Sequence, residues 1–171
     1  MKRWSKATPE AVQDVFVILS KEYPDARTEL AYASPFQLLV AVVLSAQCTD
    51  ARVNKTTPAL FKRFPTAQRL AKATQAEVEG LIKSCGFYRM KAKAIISAAK
   101  DIVSRFAGQV PGTLEELVTL GGVGRKTASV VLNQAFDVPA IAVDTHVKRV
   151  SHRLGWARHP HPEKIEQELK D

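Results

Sequence analysis

The chain has only two cysteines in 171 residues, Cys48 and Cys85, 37 positions apart. That excludes a disulfide-stapled scaffold, and the spacing fits no compact thiolate metal motif. Both are read as small core residues. Long apolar runs are missing too. The longest, Leu38 to Leu44, falls far short of the ~20 residues a membrane-spanning helix needs. Met1-Lys2-Arg3-Trp4-Ser5-Lys6 is followed by no apolar segment with a small-residue cleavage pattern, so no secretory signal is legible and an intracellular, soluble protein is expected. No strand-like alternation, internal repeat or low-complexity tract stands out. His159 and His161, in Arg158-His159-Pro160-His161-Pro162, read as an exposed loop rather than a metal site. Acidic residues are in deficit: 17 Asp and Glu face 25 Lys and Arg, giving a net charge of +8 and a pI of about 9.7. Lys83, Arg89, Lys91, Lys93, Lys100 and Arg105 crowd one stretch with only Asp101 opposing them. Such a stretch fits a polyanionic partner bound in a salt-dependent way, and equally a solvated basic helix face.

What is present is helix. Thr8-Pro9 opens a first helix with Val12, Val15, Phe16 and Leu19 on one face. Ser34-Pro35 opens a second over 35–46, apolar nearly all round and therefore central. Further helices are expected around 52–64, from Thr66 to Ala73, and from a Thr74/Glu77 capping box to Gly86. Another spans 88–106, with Ala92, Ile95, Ile96, Ala99, Ile102, Val103 and Phe106 on its buried stripe and Gly108 as its stop. The last two are expected at 145–154 and from Pro162 onward. The final one carries Ile165 and Leu169, for which the sequence offers little packing partner, so an exposed apolar face is expected there.

The most informative stretch is Leu120-Gly121-Gly122-Val123-Gly124-Arg125-Lys126-Thr127-Ala128. Thr113 with Glu116 reads as a capping box ahead of Leu114, Leu117 and Val118, and Ala128, Val131, Leu132 and Ala135 mark the face of a following helix. The result is helix, glycine hairpin, helix. The glycines allow positive φ, and hairpin N–H groups at a helix start attract phosphate without reading sequence. Lys126 falls in the first turn of the second helix, where the dipole and Arg125 both disfavour its protonated form. An amine so placed suits nucleophilic attack and Schiff-base formation. Eighteen residues on, Val143-Asp144-Thr145-His146 supplies a carboxylate. Asp144 also reads as the N-cap of the helix carrying Val147, Val150 and Leu154, and the two roles are compatible.

From about Thr28 onward the chain resembles the endonuclease III family of the helix-hairpin-helix superfamily. The likeness rests on Ser34 to Asp50 (SPFQLLVAVVLSAQCTD), the hairpin through Ala135, and Ala140-Ile141-Ala142-Val143-Asp144-Thr145-His146. Gly121 departs from the family, which usually has proline there, and is expected to loosen the turn slightly. The resemblance implies an all-α glycosylase fold with a six-helix barrel domain over 28–137 that includes the helix-hairpin-helix at 113–136. Residues 1–27 would contribute an N-terminal helix to a second domain whose remainder, 138–171, is incomplete, with the catalytic cleft between the two. The implied activity is removal of oxidised pyrimidines from duplex DNA and cleavage of the abasic strand by β-elimination. Lys126 would be the nucleophile at the sugar C1′, and Asp144 would assist base departure. Gly122, Gly124, Arg125 and His146 would contact DNA. A damaged base must leave the stack to be reached. Gln47 would then fill the gap, and Phe87 matches a position where the family inserts an aliphatic wedge. A capping glutamine and a core phenylalanine are the alternatives for those two residues.

The family usually continues through more helices to four cysteines holding a [4Fe–4S] cluster. No residues present supply those ligands, so no cofactor is expected here and the cluster belongs to a full-length form. A truncated chain is therefore expected, with double-stranded DNA carrying damaged bases or abasic sites as partner, a monomeric state, no membrane contact and a bacterial nucleoid-associated location. Two other readings stay open: a helix-hairpin-helix module that binds DNA without catalysis, and an inactive fragment. The adenine-mismatch branch of the superfamily usually lacks a lysine at the position of Lys126.

Overall fold

The computed structural model describes residues 5–171. The first four residues of the expected N-terminal segment and of the signal-free leader reading lie outside them. Among the described residues the chain is all helical: α1 (Pro9–Glu22), α2 (Pro35–Ser45), α3 (Asp50–Arg63), α4 (Ala67–Leu70), α5 (Gln75–Ile82), α6 (Tyr88–Arg105), α7 (Leu114–Leu117), α8 (Arg125–Phe136), α9 (Thr145–Leu154) and α10 (Pro162–Lys170).

Hydroxyl caps set most of the starts. The side chains of Thr8, Ser34, Thr49, Thr66, Thr74 and Thr113 each accept from a backbone N–H in the first turn that follows. Each such bond answers one orphan donor and stabilises its helix by about 1 kcal/mol. At Thr74 the box is closed from both sides, because Glu77 reaches back to the Thr74 N–H. The Thr49 cap moves the start of α3 back to Asp50, and α5 stops at Ile82, short of the expected Gly86.

The chain divides into two compact units. One is Thr28–Ala140. Its centre is α2, which buries Phe36, Leu38, Leu39, Val40, Ala41, Val42, Val43 and Leu44 and packs against α3, α6 and α8. Around it α4 and α5 pack on α6, and α7 on α8. Val78, Ile82, Ile95, Ile102, Leu117, Val131 and Leu132 complete a single apolar cluster. Of the stripe expected on α6, Val103 is exposed. Cys85 is buried, whereas Cys48 is only half-buried at the edge of the cluster.

Among the described residues, the other unit combines 5–27 with Ile141–Asp171. Its core is small: Val143, Ala157 and Ile165, with Ile141, Val147 and Leu169 around them. Ile165 is fully buried, so the exposed apolar face expected on the last helix is not found. The loop bearing Ala157 and the segment bearing Val143 supply the partners that periodicity alone did not reveal. The apolar face of α1, with Val12, Val15, Phe16 and Leu19, is not deeply covered. No residue of α1 is buried, and Phe16 stacks its ring on Trp156 with centroids 5.5 Å apart while remaining 53% exposed. Gly155, at φ 75°, lets the chain turn against the segment before α1. A Cβ there would lie 2.5 Å from the Ser5 carbonyl oxygen, and Ala7 N–H donates to the Gly155 carbonyl.

Candidate functional site

In the larger unit, the turn joining α7 to α8 is fixed from below. Leu117, Leu120 and Val123 are buried under it. Gly122 takes φ 75° and presses on α6, where a Cβ would lie 2.4 Å from the Ala94 Cβ. Glycine is required there twice over, for its conformation and for its missing side chain. Gly121 answers differently from expectation. Its N–H donates to the Asp101 carboxylate at 2.8 Å, and an added Cβ would fall 2.1 Å from the Ser97 hydroxyl oxygen. A proline could offer neither the donor nor the space, so glycine ties this turn more tightly to α6 instead of loosening it. Two hairpin N–H groups thus point inward, since Val123 donates to the Leu120 carbonyl. Gly124, at φ −90° with open space around its Cα, is the N-cap of α8 and offers no side-chain cap.

Arg125 and Lys126 open α8, both exposed, while Ala128, Ser129, Val131 and Leu132 are buried further along the same helix. The sequence of α8 therefore anchors it through its later turns and leaves its first turn at the surface, with two basic side chains on it.

A second local site closes the same unit. Gln47 lies one residue past the C-cap of α2, exposed and at φ 53°. Phe87, N-cap of α6, is at φ 55° and 63% exposed, which overturns the core alternative for that side chain. The two turns adjoin: a Cβ on Gly86 would lie 3.8 Å from the Gln47 carbonyl oxygen. Cys85 is buried beside them, with the Thr56 hydroxyl, the Cys48 thiol and Lys91 around it. Burial, foremost, pushes its thiol up, the Cys48 thiol adds to that, and Thr56 and Lys91 oppose.

Of the basic stretch, Lys83, Arg89, Lys93 and Lys100 are exposed. Arg105 is spent on α7's end, donating to the Thr119 hydroxyl at 2.8 Å. Lys91 leaves the surface altogether: it is 6% exposed and its Nζ donates to the Leu44 carbonyl at 2.8 Å. The signal was in the sequence, since Lys91 lies on the helical line of Ile95, Ala98 and Ile102. Its stem continues the buried stripe.

In the smaller unit, Asp144 is the N-cap of α9. One carboxylate oxygen, Oδ1, accepts from the His146 and Val147 N–H groups at 2.9 Å each. Oδ2 lies 3.8 Å from the His146 ring Nδ1. Asp144 is half-buried and His146 is exposed. The capping function of Asp144 is therefore real, and it engages only Oδ1 in those two bonds.

A four-thiolate cluster needs four cysteines. The chain has two, and among the described residues no group of three or more His, Cys, Asp or Glu could hold a metal ion. The residues present do not fit that cofactor. Among the described residues no helix is long and apolar enough to cross a membrane.

Residues 40–171 match the family described as HhH-GPD superfamily base excision DNA repair protein. Endonuclease III of Synechocystis sp. is 55% identical over 157 residues, covering 91% of this chain and 72% of that protein. Endonuclease III of Rickettsia felis is 46% identical over 160 residues, covering 94% of this chain and 75% of that one. Among solved structures, a non-covalent endonuclease III–DNA complex and a trapped endonuclease III–DNA covalent intermediate each superpose with a TM-score of 0.90 at 46% identity, covering 95% of this chain and 77% of theirs. A thermostable thymine-DNA glycosylase at 20% identity shares the fold, with a TM-score of 0.84.

Proposed function

Because the chain belongs to the HhH-GPD superfamily of base excision DNA repair proteins, and within it to the endonuclease III family, we propose that it excises oxidised pyrimidines from duplex DNA and then cleaves the abasic strand. The observation that carries this reading is Lys126, held in the first turn of α8 behind a turn that only glycine can make at Gly122. The nucleophile is the Lys126 amine. It bonds to C1′ of the damaged nucleotide as the bond from C1′ to the base breaks, and the base leaves with a proton. Opening of the sugar gives an imine between Lys126 and C1′. Loss of a C2′ proton then expels the 3′ phosphate, which cuts the strand. Asp144 assists departure of the base and stabilises the positive charge growing on the sugar. Its Oδ1 caps α9, which fixes the carboxylate at the start of that helix.

Gly122, Gly124 and Arg125 grip backbone phosphate at the start of α8, where the helix dipole favours an anion. His146 contacts DNA at the start of α9. Gln47 and Phe87 fill the gap left when the damaged nucleotide flips out, which suits their exposure on adjoining turns. The partner is duplex DNA with damaged bases or abasic sites, met by a monomer inside a bacterial cell. The trapped covalent complex of a 46% identical relative supports a covalent route.

The test separates excision from strand cutting. Lys126→Ala is expected to abolish cleavage of an abasic duplex while duplex binding, followed by gel shift, is kept. Asp144→Asn retains an N-cap side chain of equal rank, so it isolates the charge. It is expected to slow base excision more than cleavage at a pre-formed abasic site. Cleavage surviving in Lys126→Ala sinks the assignment, and binding without cleavage in the unaltered chain leaves a DNA-gripping module.

A further inference from the structure

The buried lysine has no part in the chemistry above. Lys91 is the only basic side chain buried among the described residues. A buried amine is costly unless hydrogen-bonded, and the Lys91 amine meets a carbonyl that an apolar side chain of similar volume would leave unpaired. Something other than packing therefore accounts for an amine here, and its position says what.

Lys91 joins two turns. Its Nζ donates to the Leu44 carbonyl, in the last turn of α2 and three residues before Gln47. That carbonyl is one of the acceptors a helix end leaves without an intrahelical partner, at the negative pole of the helix. The Lys91 backbone N–H donates to the Phe87 carbonyl at 3.1 Å, in the first turn of α6. One residue thus holds the segment leading into Gln47 and the segment leading out of Phe87. Both of those residues take positive φ, 53° and 55°, without being glycine. Such conformations cost of order 1 kcal/mol or more each and persist only where the surroundings impose them.

We propose that Lys91 is a positioning residue for lesion recognition. It clamps the Gln47 turn to the Phe87 turn so that the two side chains enter the duplex as one unit. The proposal rests on the reading that Gln47 and Phe87 fill the gap.

The experiment compares Lys91→Met, Gln47→Ala, Phe87→Ala and Lys91→Met/Gln47→Ala. Two readouts are used: single-lesion excision kinetics, and fluorescence of 2-aminopurine placed opposite a tetrahydrofuran abasic analogue. Lys91→Met is expected to lower kcat about 10- to 100-fold with KM changed little, the scale expected when reacting groups lose their alignment. It should also erase the fluorescence rise. Because Lys91 acts through Gln47, the double variant should be no slower than the slower single variant, whereas independent effects multiply. A Lys91→Met protein with unaltered kcat and fluorescence, or multiplying effects in the double variant, overturns the clamp. Silence of Gln47→Ala and Phe87→Ala removes the gap-filling reading, and the clamp with it. Silence of Lys91→Met alone removes only the clamp. If Lys91→Met does not fold, Lys91→Gln serves, since it fills most of the volume with a donor of shorter reach. An intermediate loss supports the proposal and an unaltered response overturns it.

Discussion

The two units of the chain are both helical and bury very different amounts of their helices: the central helix of one is apolar nearly all round, and the first helix of the other carries a single apolar stripe. In the larger unit, α2 alone buries eight of its eleven residues. In the smaller one, α1 has fourteen residues and buries none, and the apolar cluster has three buried members, Val143, Ala157 and Ile165. A hydrophobic stripe states what a helix can bury, and the neighbours decide what it does bury. The proposed machinery is divided accordingly: Lys126, Gln47 and Phe87 stand on the strongly packed unit, and Asp144 and His146 on the weakly packed one.

Deleting core side chains should have the largest effects and should differ between the two units. Leu38→Ala, in the centre of α2, is expected to cost about 3–5 kcal/mol, and Ile165→Ala about 2–3 kcal/mol because a smaller core collapses more readily around the gap. Hydrogen exchange by mass spectrometry would separate them. Leu38→Ala should lower protection through Thr28–Ala140, and Ile165→Ala should lower it chiefly in Ile141–Asp171. Uniform loss in both variants would mean that the two units unfold as one.

Within the larger unit, the hairpin glycines give a sharper contrast. Gly122→Ala meets both the 2.4 Å approach to Ala94 and the positive φ, and should lose about 2–4 kcal/mol in urea unfolding. Gly124→Ala meets nothing within 4 Å and costs only the poorer capping of α8 by alanine, so it should lose about 0.5–1 kcal/mol. Similar losses at both positions would contradict the geometry of the turn.

The smallest expected effects are in acid. Glu77 is held below its ordinary value of 4.5 first by the Thr74 N–H, then by the Thr74 hydroxyl and Arg63. Glu168 is held below the same value first by the His159 N–H and then by that of Arg158. A carboxyl whose folded pKa is depressed stabilises the fold above its unfolded pKa, and that contribution fades as pH falls through the lower, folded value. Glu77→Gln and Glu168→Gln should therefore lower Tm above pH 4.5 and converge on the unaltered protein well below it. A constant offset across that range would point to lost packing instead.

Much of this was legible from residue types. The hydroxyl caps at Thr8, Ser34, Thr74 and Thr113 announced their helices, because a short side-chain acceptor ahead of an apolar repeat has one common use. Asp144 was legible as a cap for the same reason. What escaped depends on contacts distant in sequence. Lys91 looked like surface charge because its partner, Leu44, is 47 positions away. Ile165 looked unpartnered because Val143 and Ala157 reach it from other segments. Gly121 looked like a loosened turn because Ser97 and Asp101, which require it, sit on α6. Phe87 was undecided between surface and core, since its left-handed backbone and exposure follow from the turn and not from its type.

On the proposed mechanism, the first turn of α8 presents an amine that becomes covalently bound to DNA. Borohydride reduction of this chain on a duplex with a single abasic site tests it most directly, with the cross-linked residue located by peptide mass spectrometry. One trapped species is expected, attached through Lys126 and absent in Lys126→Ala. A trapped species attached through any other residue, or none from a chain that is helical by circular dichroism and binds the duplex, would contradict it.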